Sequence, residues 1–335
     1  MRILLIGHPM SSDCMERHVF STLDEMGHEV QHFQILDNVN LHHKIDRCIR
    51  AALRILLREP ERLRERRLVE AVTGFRPDLI LVLLGNALSP KTVARVRKTF
   101  KGPVACWCQD ALTSIGRQYL IGAEYDFIFV KDHYILNFLR NMVGHPAAYY
   151  LPEACNPEVH KTVDLTESEH AEYRSDICTF ATLYYYRQAI LEPLRKYDLK
   201  VWGNVPDWLV NRLGDQHAGR VVYENDKCKA VAGAKIVLNT LHFAEINGLN
   251  CRAFEVAGCG GFQLISFSPA ISEHFEIGKE IEVFHDHREL KEKIDYYLAR
   301  PEARHRIAAA SQSRAHKEHT YENRLSRLID TIGAF

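Results

Sequence analysis

Long hydrophobic runs are missing from this chain of 335 residues. The longest of them, such as Leu79 to Leu84, is far shorter than the about 20 apolar residues that a membrane-spanning helix needs. The amino terminus enters a strand-like segment directly instead of a secretion signal. We therefore expect a cytoplasmic protein with no membrane span.

An excess of charge of either sign is missing as well. The 43 Lys and Arg residues balance the 43 Asp and Glu residues, so no overall field attracts nucleic acid or an anionic bilayer. The locally basic stretch Lys44 to Glu70 is better explained by a solvated helix face than by a site for an anionic acceptor. The hydrophobic content of 46% excludes a disordered chain and suffices for two domain cores.

Cysteine pairs with C-x-x-C spacing and paired aspartates are also missing. The nine cysteines are an odd number without a C-x-x-C pair, which is typical of reduced thiols. The histidines at 42–43, 285–287 and 316/319 fall in separate polar segments, and no D-x-D triplet occurs. We expect no metal site and no cofactor, so arginines and helix dipoles would have to neutralise any bound diphosphate.

Strand and helix patterns alternate along the whole chain. This alternation predicts an α/β fold with two Rossmann-like, doubly wound parallel-sheet domains. Two prolines at 151–157 indicate a boundary, so we expect an N-terminal domain at 1–155, a second at 156–318, and a helix at 319–335 that packs back on the first. Helical spacing predicts a helix around 49–57. Strands are predicted at 2–7, 29–33, 77–85, 103–108, 126–130, 177–181, 199–202, 220–223, 234–239, 261–266 and 280–284.

The richest candidate site follows the predicted strand that ends at Asn239. A polar loop leads to a short helix that begins near Asn250 and ends in glycines, and the start of a helix favours anions. Arg252 lies in the first turn, where a cation is unfavourable unless an anion binds there, and Glu255 lies three residues later on nearly the same face. An ordinary surface pair of Arg252 with Glu255, with Asn250 as N-cap, explains the spacing equally well.

Three further segments carry candidate residues. Arg187 lies near the start of a helix that follows the strand at 177–181, after a tyrosine triplet, 184–186, that could stack a nucleobase or simply pack. In the first domain, Asp13 follows the first strand and Asp110 follows a later one. A carboxylate in such a position is a candidate general base, whereas the structural alternative for Asp110 is an N-cap.

The second domain resembles the CgeB-like, or spore maturation protein B type, glycosyltransferases. The resemblance runs from about Asp176 to the C-terminus and continues more thinly through Pro77-Asp78, Trp107-x-x-Asp110 and the linker 150–160. It rests on Asn239, Asn250-x-Arg252-x-Phe254-Glu255, Ala257-x-Cys259-Gly260-Gly261, Pro269, Phe275, Gly278-Lys279-Glu280, Glu289-Leu290, Tyr296-Tyr297-Leu298 and Glu318-His319-Thr320-Tyr321-x-x-Arg324.

The resemblance implies the GT-B architecture, in which two Rossmann-like domains face each other across a cleft. It implies that the second domain binds a nucleotide-diphosphate sugar, that Glu255 contacts the ribose, that Arg187 and Arg252 face the diphosphate, and that the first domain shapes the acceptor pocket. The wider donor-binding set adds Asn239, Asn247 and Asn250. The sequence departs from related ones twice, with Ala181-Thr182 in place of Gly-Ser, and with Asn247 where many retaining enzymes have a carboxylate eight residues before the ribose-binding Glu.

The leading hypothesis is a metal-independent glycosyl transfer from a nucleotide sugar to an unidentified acceptor. Arg252 would stabilise the departing diphosphate, and an inverting reaction would use Asp110 or Asp13 as its base. One alternative is a sugar-nucleotide epimerase of the same architecture. The other is a two-lobed protein that binds a nucleotide sugar without catalysis.

Overall fold

The computed structural model describes residues 1–11, 13–35, 61–83, 88–114, 116 and 118–334. These residues form two compact units, Met1–Leu151 with Leu325–Phe335 (unit 1), and Pro152–Arg324 (unit 2). The helix predicted around 49–57 and the end of the strand predicted at 77–85 lie outside the described residues. Each unit contains one parallel sheet with helices, so the predicted pair of Rossmann-like α/β domains is confirmed.

Unit 1 has a six-stranded sheet in the order β2-β1-β3-β4-β5-β6, and every neighbouring pair is parallel. All four residues of β3 and all five of β4 are buried, as expected for strands that helices cover on both faces. The sixth strand was missed by the sequence analysis because only three residues form it. The strands are β1 (Arg2–Gly7), β2 (Glu29–Gln34), β3 (Leu79–Val82), β4 (Val104–Cys108), β5 (Phe127–Val130) and β6 (Ala148–Tyr150).

The helices of unit 1 begin and end where local signals predict. Gly27, with φ of +82°, follows α1 in the left-handed region that favours glycine. Ser89 caps the helix that begins at Pro90 by accepting a hydrogen bond from the Thr92 amide at 3.2 Å. The helices are α1 (Met15–Glu25), α2 (Glu61–Phe75), α3 (Pro90–Arg97), α4 (Tyr119–Gly122) and α5 (His133–Asn141).

Unit 2 has a five-stranded parallel sheet in the order β11-β10-β9-β7-β8. The chain leaves β7 towards β8 on one side and then returns to β9 on the other side. The carboxyl ends of β7 and β9 therefore form a topological switch point, where open α/β sheets bind ligands. The strands are β7 (Ser175–Phe180), β8 (Leu199–Trp202), β9 (Ala234–Asn239), β10 (Gln263–Ser266) and β11 (Glu282–Phe284).

The helices of unit 2 include one that the sequence analysis did not predict. It is α6, where Thr166 and Glu169 form a capping box. The others are α7 (Tyr185–Leu191), α8 (Glu224–Gly233), α9 (Arg252–Gly258), α10 (Ile271–His274), α11 (His287–Leu298), α12 (Pro301–Glu318) and α13 (Tyr321–Gly333), while α6 spans Glu167–Tyr173. Helix α13 continues into unit 1 from Leu325 onwards.

The strand predicted at 220–223 is wrong. The segment is extended beside the edge strand β8, but only single contacts join the two, such as the bond from the Gly203 amide to the Arg220 carbonyl at 3.0 Å. Arg220 instead binds Glu172 and Asp226, at 2.6 and 2.9 Å. The run Val221-Val222-Tyr223 has the composition of a strand, yet without a continuous hydrogen-bond ladder the segment only covers the edge of the sheet.

No helix in the described part of the chain is both long and apolar enough to cross a membrane. The described cysteines are free thiols, namely Cys14, Cys106, Cys108, Cys155, Cys178, Cys228, Cys251 and Cys259. Cys228 and Cys259 lie closest, with their sulfur atoms 3.2 Å apart.

Candidate functional site

The candidate site of unit 2 is built on the loops that follow β7 and β9. The loop after β7 is held close to the end of β8, because a Cβ atom on Gly203 would lie 1.8 Å from the Ala181 carbonyl oxygen. Glycine is therefore required at 203 for the two loops to approach. This close approach brings 181–184 into the switch region, from which α7 begins.

Arg187 lies in the first turn of α7 and is only 3% exposed. Its Nε donates to Thr240 Oγ1 at 3.0 Å, its Nη1 donates to the Thr182 carbonyl, and its Nη2 donates to the Tyr186 hydroxyl at 2.5 Å. Burial, and then the nearby charge of Arg252, lower its pKa to about 10. A buried guanidinium that makes only neutral hydrogen bonds is well suited to bind an anion.

Arg252 is the first residue of α9, so it lies in the first turn, as predicted, although the helix begins two residues after Asn250. Its side chain is half-buried, and Nη1 donates to the carbonyl of Phe180 at the carboxyl end of β7. The charge of Arg252 acts on the pKa of Arg187, so the two guanidinium groups belong to one electrostatic environment. Two cations at one switch point favour a ligand with more than one negative charge.

Glu255 is buried one turn further along α9, with 4% of its surface exposed. Lys227 of α8 donates from Nζ to Glu255 Oε2 at 2.9 Å. His160 Nε2 lies 4.0 Å from the other oxygen, Oε1, and His160 Nδ1 accepts from the Asn156 amide at 3.0 Å. That bond occupies Nδ1, so Nε2 is the ring nitrogen that faces the carboxylate.

The sequence analysis missed Lys227. Its position carries a signal, however, because Ala230 and Val231 follow at spacings of three and four residues and are both buried. Helical periodicity therefore places Lys227 on the apolar face of α8, where a lysine is rarely found without a partner. The partner is 28 residues away in the chain, so no local pattern identifies it as Glu255.

Asn239 and Asn250 lie beneath the start of α9 and form a reciprocal amide pair. Each Nδ2 donates to the Oδ1 of the other at 2.9 Å. Asn239 Nδ2 also donates to Gln263 Oε1 at 2.8 Å, and Asn250 Oδ1 accepts from the Ala253 amide at 3.2 Å. These bonds anchor the first turn of α9, whereas the donor-binding role of the two asparagines stays a prediction.

Asn247 lies half-buried in the loop between β9 and α9. Its predicted contact with the donor likewise stays a prediction. The tyrosine triplet 184–186 lies at the start of α7, beside Arg187, whose guanidinium carbon is 5.0 Å from the ring centroid of Tyr186.

The two carboxylates predicted as candidate bases lie in unit 1 and differ in exposure. Asp110 is exposed just beyond the carboxyl end of β4. Asp13 has φ of +58°, and its fully buried carboxylate lies 3.1 Å from His18 Nε2. A third carboxylate, Glu16, is buried beside β1 and accepts from the His8 amide at 3.0 Å. The sequence analysis did not single out Glu16, whose helical position resembles that of any surface glutamate.

The comparisons with known proteins agree with this architecture. Residues 187–330 match the family model described as "Glycosyl transferase-like". A sucrose-phosphate synthase from Thermosynechococcus elongatus has a TM-score of 0.72 and 13% identity, with 99% of each chain covered. Anabaena HepE in complex with UDP-glucose has a TM-score of 0.70 and 13% identity, with 100% of each chain covered. The fold is that of the GT-B glycosyltransferases.

A third structure of this GT-B fold is the E. coli protein titled "Trehalose-6-phosphate", bound with UDP-2-fluoro glucose. Its TM-score is 0.64 at 12% identity, and 99% of each chain is covered. No curated protein matches the chain in sequence. The family match begins at Arg187 and covers the whole of α9, so it includes Arg187, Arg252 and Glu255.

Proposed function

We propose that the protein is a glycosyltransferase that moves a sugar from a nucleotide-diphosphate sugar to an acceptor. The observation that carries the proposal is the pair of arginines, Arg187 and Arg252, at the switch point of a glycosyltransferase-like domain. Nucleotide sugars carry a diphosphate, and this pair supplies two cations where an open α/β sheet binds its ligand. The likeness to structures with bound UDP-sugars supports the same assignment.

In the proposed reaction, the bond between the anomeric carbon and the diphosphate oxygen breaks while the acceptor oxygen bonds to that carbon. Negative charge grows on the leaving diphosphate, and Arg187 and Arg252 stabilise it. Arg187 is already held in place by three hydrogen bonds, so little reorganisation is needed when the charge develops. The transfer is proposed to be independent of a metal ion, since the two arginines neutralise the diphosphate.

Glu255 is proposed to accept hydrogen bonds from the ribose hydroxyls. Lys227 fixes one carboxylate oxygen, which holds the other in a defined orientation. Asp110 and Asp13 stay the candidate bases for an inverting reaction. The exposure of Asp110 favours it over Asp13, whose carboxylate is buried against His18.

Membership of the CgeB-like family is part of the proposal, supported by the motif from Asn250 to Gly261. A cytoplasmic location is proposed as well. The free thiols among the described residues support it, because cysteines stay reduced in that compartment.

Thermal shift with UDP, GDP, dTDP and their sugar conjugates tests the proposal directly. A nucleotide that binds the native state, and is present at a free concentration of about 100 times its Kd, stabilises that state by roughly 2.7 kcal/mol. We expect one nucleotide class to raise Tm in the parent and in Arg288→Ala, a control at a side chain that is 85% exposed. The shift should be lost in Arg252→Ala, and transfer activity should fall by about 10²- to 10³-fold. Sugar transfer by Arg252→Ala at the rate of the parent would disprove the role of Arg252.

A further inference from the structure

Four exposed aromatic side chains cover the carboxyl edge of the unit 2 sheet. We call them the aromatic platform: Tyr184, Tyr185, Trp208 and Phe243, which are 36%, 50%, 57% and 77% exposed. They come from the loops that follow three neighbouring strands, β7, β8 and β9. Exposed aromatic rings that cluster on one surface mark a binding site far more often than scattered ones do.

The rings of the platform pack against one another and against the loop beneath. Tyr184 stacks on Trp208 with ring centroids 6.3 Å apart, and Tyr185 lies 5.6 Å from Trp208. The Tyr185 hydroxyl donates to the Trp208 carbonyl at 3.4 Å. Phe243 stacks on His242 at 4.3 Å. Rings that are already ordered lose little side-chain entropy when a ligand binds, so the platform is preorganised.

The platform is continuous with the proposed diphosphate site. The Arg187 guanidinium lies 5.9 Å from the ring of Tyr184 and 5.0 Å from the ring of Tyr186. Tyr186 in turn contacts Phe243, with centroids 5.5 Å apart. A ligand whose charged end binds Arg187 therefore reaches the platform through the atoms next to its diphosphate.

The exposed area is small. A full aromatic side chain presents roughly 200 Å², so the four exposed fractions amount to about 440 Å². A stable protein interface needs about 800 Å² from each partner. The area of the platform is thus too small for a second copy or another protein to bind stably, while it suits one or two sugar rings.

Charge argues against a membrane surface as the occupant. The platform segments at 204–210 and 242–247 each contain one acidic residue, Asp207 and Glu245, and neither contains Lys or Arg. The third segment, 184–187, contributes a single cation, Arg187, which is buried. Binding to an anionic bilayer needs several cations close to the inserted aromatic residues. An uncharged ligand with apolar faces matches this surface better.

We propose that the aromatic platform binds a saccharide ring, which stacks its C–H face on the aromatic rings while its hydroxyls stay solvated. The inference rests on the proposed function, because glycosyl transfer brings sugars to this edge of the sheet. The ring belongs either to the donor sugar or to an acceptor glycan. Both sources share the same chemistry, and Tyr and Trp offer the apolar face with a polar edge that it requires.

Trp208 provides its own probe. The other two tryptophans, Trp107 and Trp202, are 0% and 2% exposed, so acrylamide quenches chiefly Trp208. We expect UDP-glucose, GDP-mannose or maltotriose to lower the quenching constant about twofold at saturation, relative to the matching nucleoside diphosphate or buffer. Protection by a nucleotide sugar indicates the donor as the source, and protection by maltotriose or cellobiose indicates an acceptor.

Three outcomes overturn the proposal. The first would be that UDP or GDP protects Trp208 to the same extent as the corresponding nucleotide sugar does, which would identify a nucleobase as the occupant. The second would be that anionic vesicles or a higher protein concentration protect Trp208 while none of the sugars does, which would identify a membrane or a second copy as the occupant. The third would be that none of the probes protects Trp208 although a nucleoside diphosphate raises Tm. In that case the proposed function stands, and the proposal that the platform binds a saccharide is wrong.

Variants separate the platform from the diphosphate site. Phe243→Ala should weaken binding of the protecting sugar about five- to tenfold and leave the Tm shift by the nucleoside diphosphate unchanged. Tyr296→Ala, at an aromatic residue of α11 that is 48% exposed, is the matched control and should change neither. Equal sugar affinity in Phe243→Ala and the parent contradicts the platform, whereas loss of all nucleotide binding in the parent contradicts the proposed function.

Discussion

Lys227 Nζ lies 2.9 Å from Glu255 Oε2, and both side chains are buried. The pair joins α8 to α9, so a cation that was not predicted holds the carboxylate that was predicted to bind the ribose. A buried ion pair adds little net stability compared with apolar packing, but loss of one partner leaves an uncompensated charge. Lys227 is therefore a positioning residue for Glu255 and for the start of α9.

Lys227→Met should destabilise the protein by about 3 kcal/mol, because Glu255 would remain buried without its cation. The double variant Lys227→Met/Glu255→Gln should recover part of this loss. Urea unfolding measures both. The control is Lys235→Met, which breaks a pair with Asp176 at a side chain that is 46% exposed, and it should cost less than about 1 kcal/mol. Equal losses in Lys227→Met and Lys235→Met would refute the buried pair.

The stability of the protein should decrease as the pH is lowered through a range set by the pKa values of His319. Its Nε2 donates to the His274 carbonyl at 2.8 Å, and its Nδ1 accepts from Arg324 at 3.1 Å, so the ring is neutral in the folded protein. Burial lowers its pKa from 6.5 to about 4. Between these two pH values the unfolded chain binds more protons than the folded chain. The contribution of His319 to the free energy of unfolding is therefore fully present above pH 6.5, and it should fall by about 3 kcal/mol towards pH 4.

His319→Gln should flatten this slope between pH 6.5 and 4 in urea titrations. Two partly exposed carboxylates act in a separate range, because hydrogen bonds from Lys229 and Lys293 lower the pKa values of Glu169 and Glu289 to about 2. Their contribution is present above about pH 4.5 and is lost as the pH falls towards 2. An unchanged slope above pH 4.5 in His319→Gln would exclude His319 as the cause.

The amide network beneath α9 should be structural. Asn250→Ala removes the partner of the Asn239 amide and the acceptor for the Ala253 amide. We expect a loss of about 1–3 kcal/mol in thermal or urea unfolding. Asn323→Ala, at an exposed asparagine near the start of α13, is a control of the same chemistry. A higher KM for the donor without any loss of stability would instead assign Asn250 to the donor.

Transfer should not depend on a divalent ion. With Arg187 and Arg252 neutralising the diphosphate, EDTA should leave kcat/KM within about twofold of the untreated value. Added Mg²⁺ or Mn²⁺ should not rescue Arg252→Ala. Loss of activity in EDTA that Mg²⁺ restores would show that the two arginines are insufficient.

Asp110→Asn should lower kcat by about 10²- to 10⁴-fold if the reaction inverts and Asp110 is its base. Asp13→Asn should instead act on stability, because the Asp13 carboxylate is buried against His18. Steady-state kinetics together with Tm distinguish the two variants. A parent-like kcat in Asp110→Asn would remove this residue from the mechanism.

Local patterns predicted most of the fold. The apolar run that forms β3, the glycine after α1 and the position of Arg252 in the first turn of α9 each depend on residues close in sequence, and all three are present. The segment at 220–223 was misread for the same reason, since its Val-Val-Tyr run has the composition of a strand. Whether such a segment pairs depends on a neighbour elsewhere in the chain, which its own residues do not specify.

The sequence by itself therefore determined the class of the fold, the order of its elements and the two arginines that follow β7 and β9. Only the tertiary structure brought Lys227 and His160 to Glu255, closed the amide pair of Asn239 with Asn250, and gathered the aromatic platform from three loops. The reason is that periodicity records which face of an element is apolar. Which loops meet at the sheet edge follows from strand order, and that order is decided by packing over the whole unit.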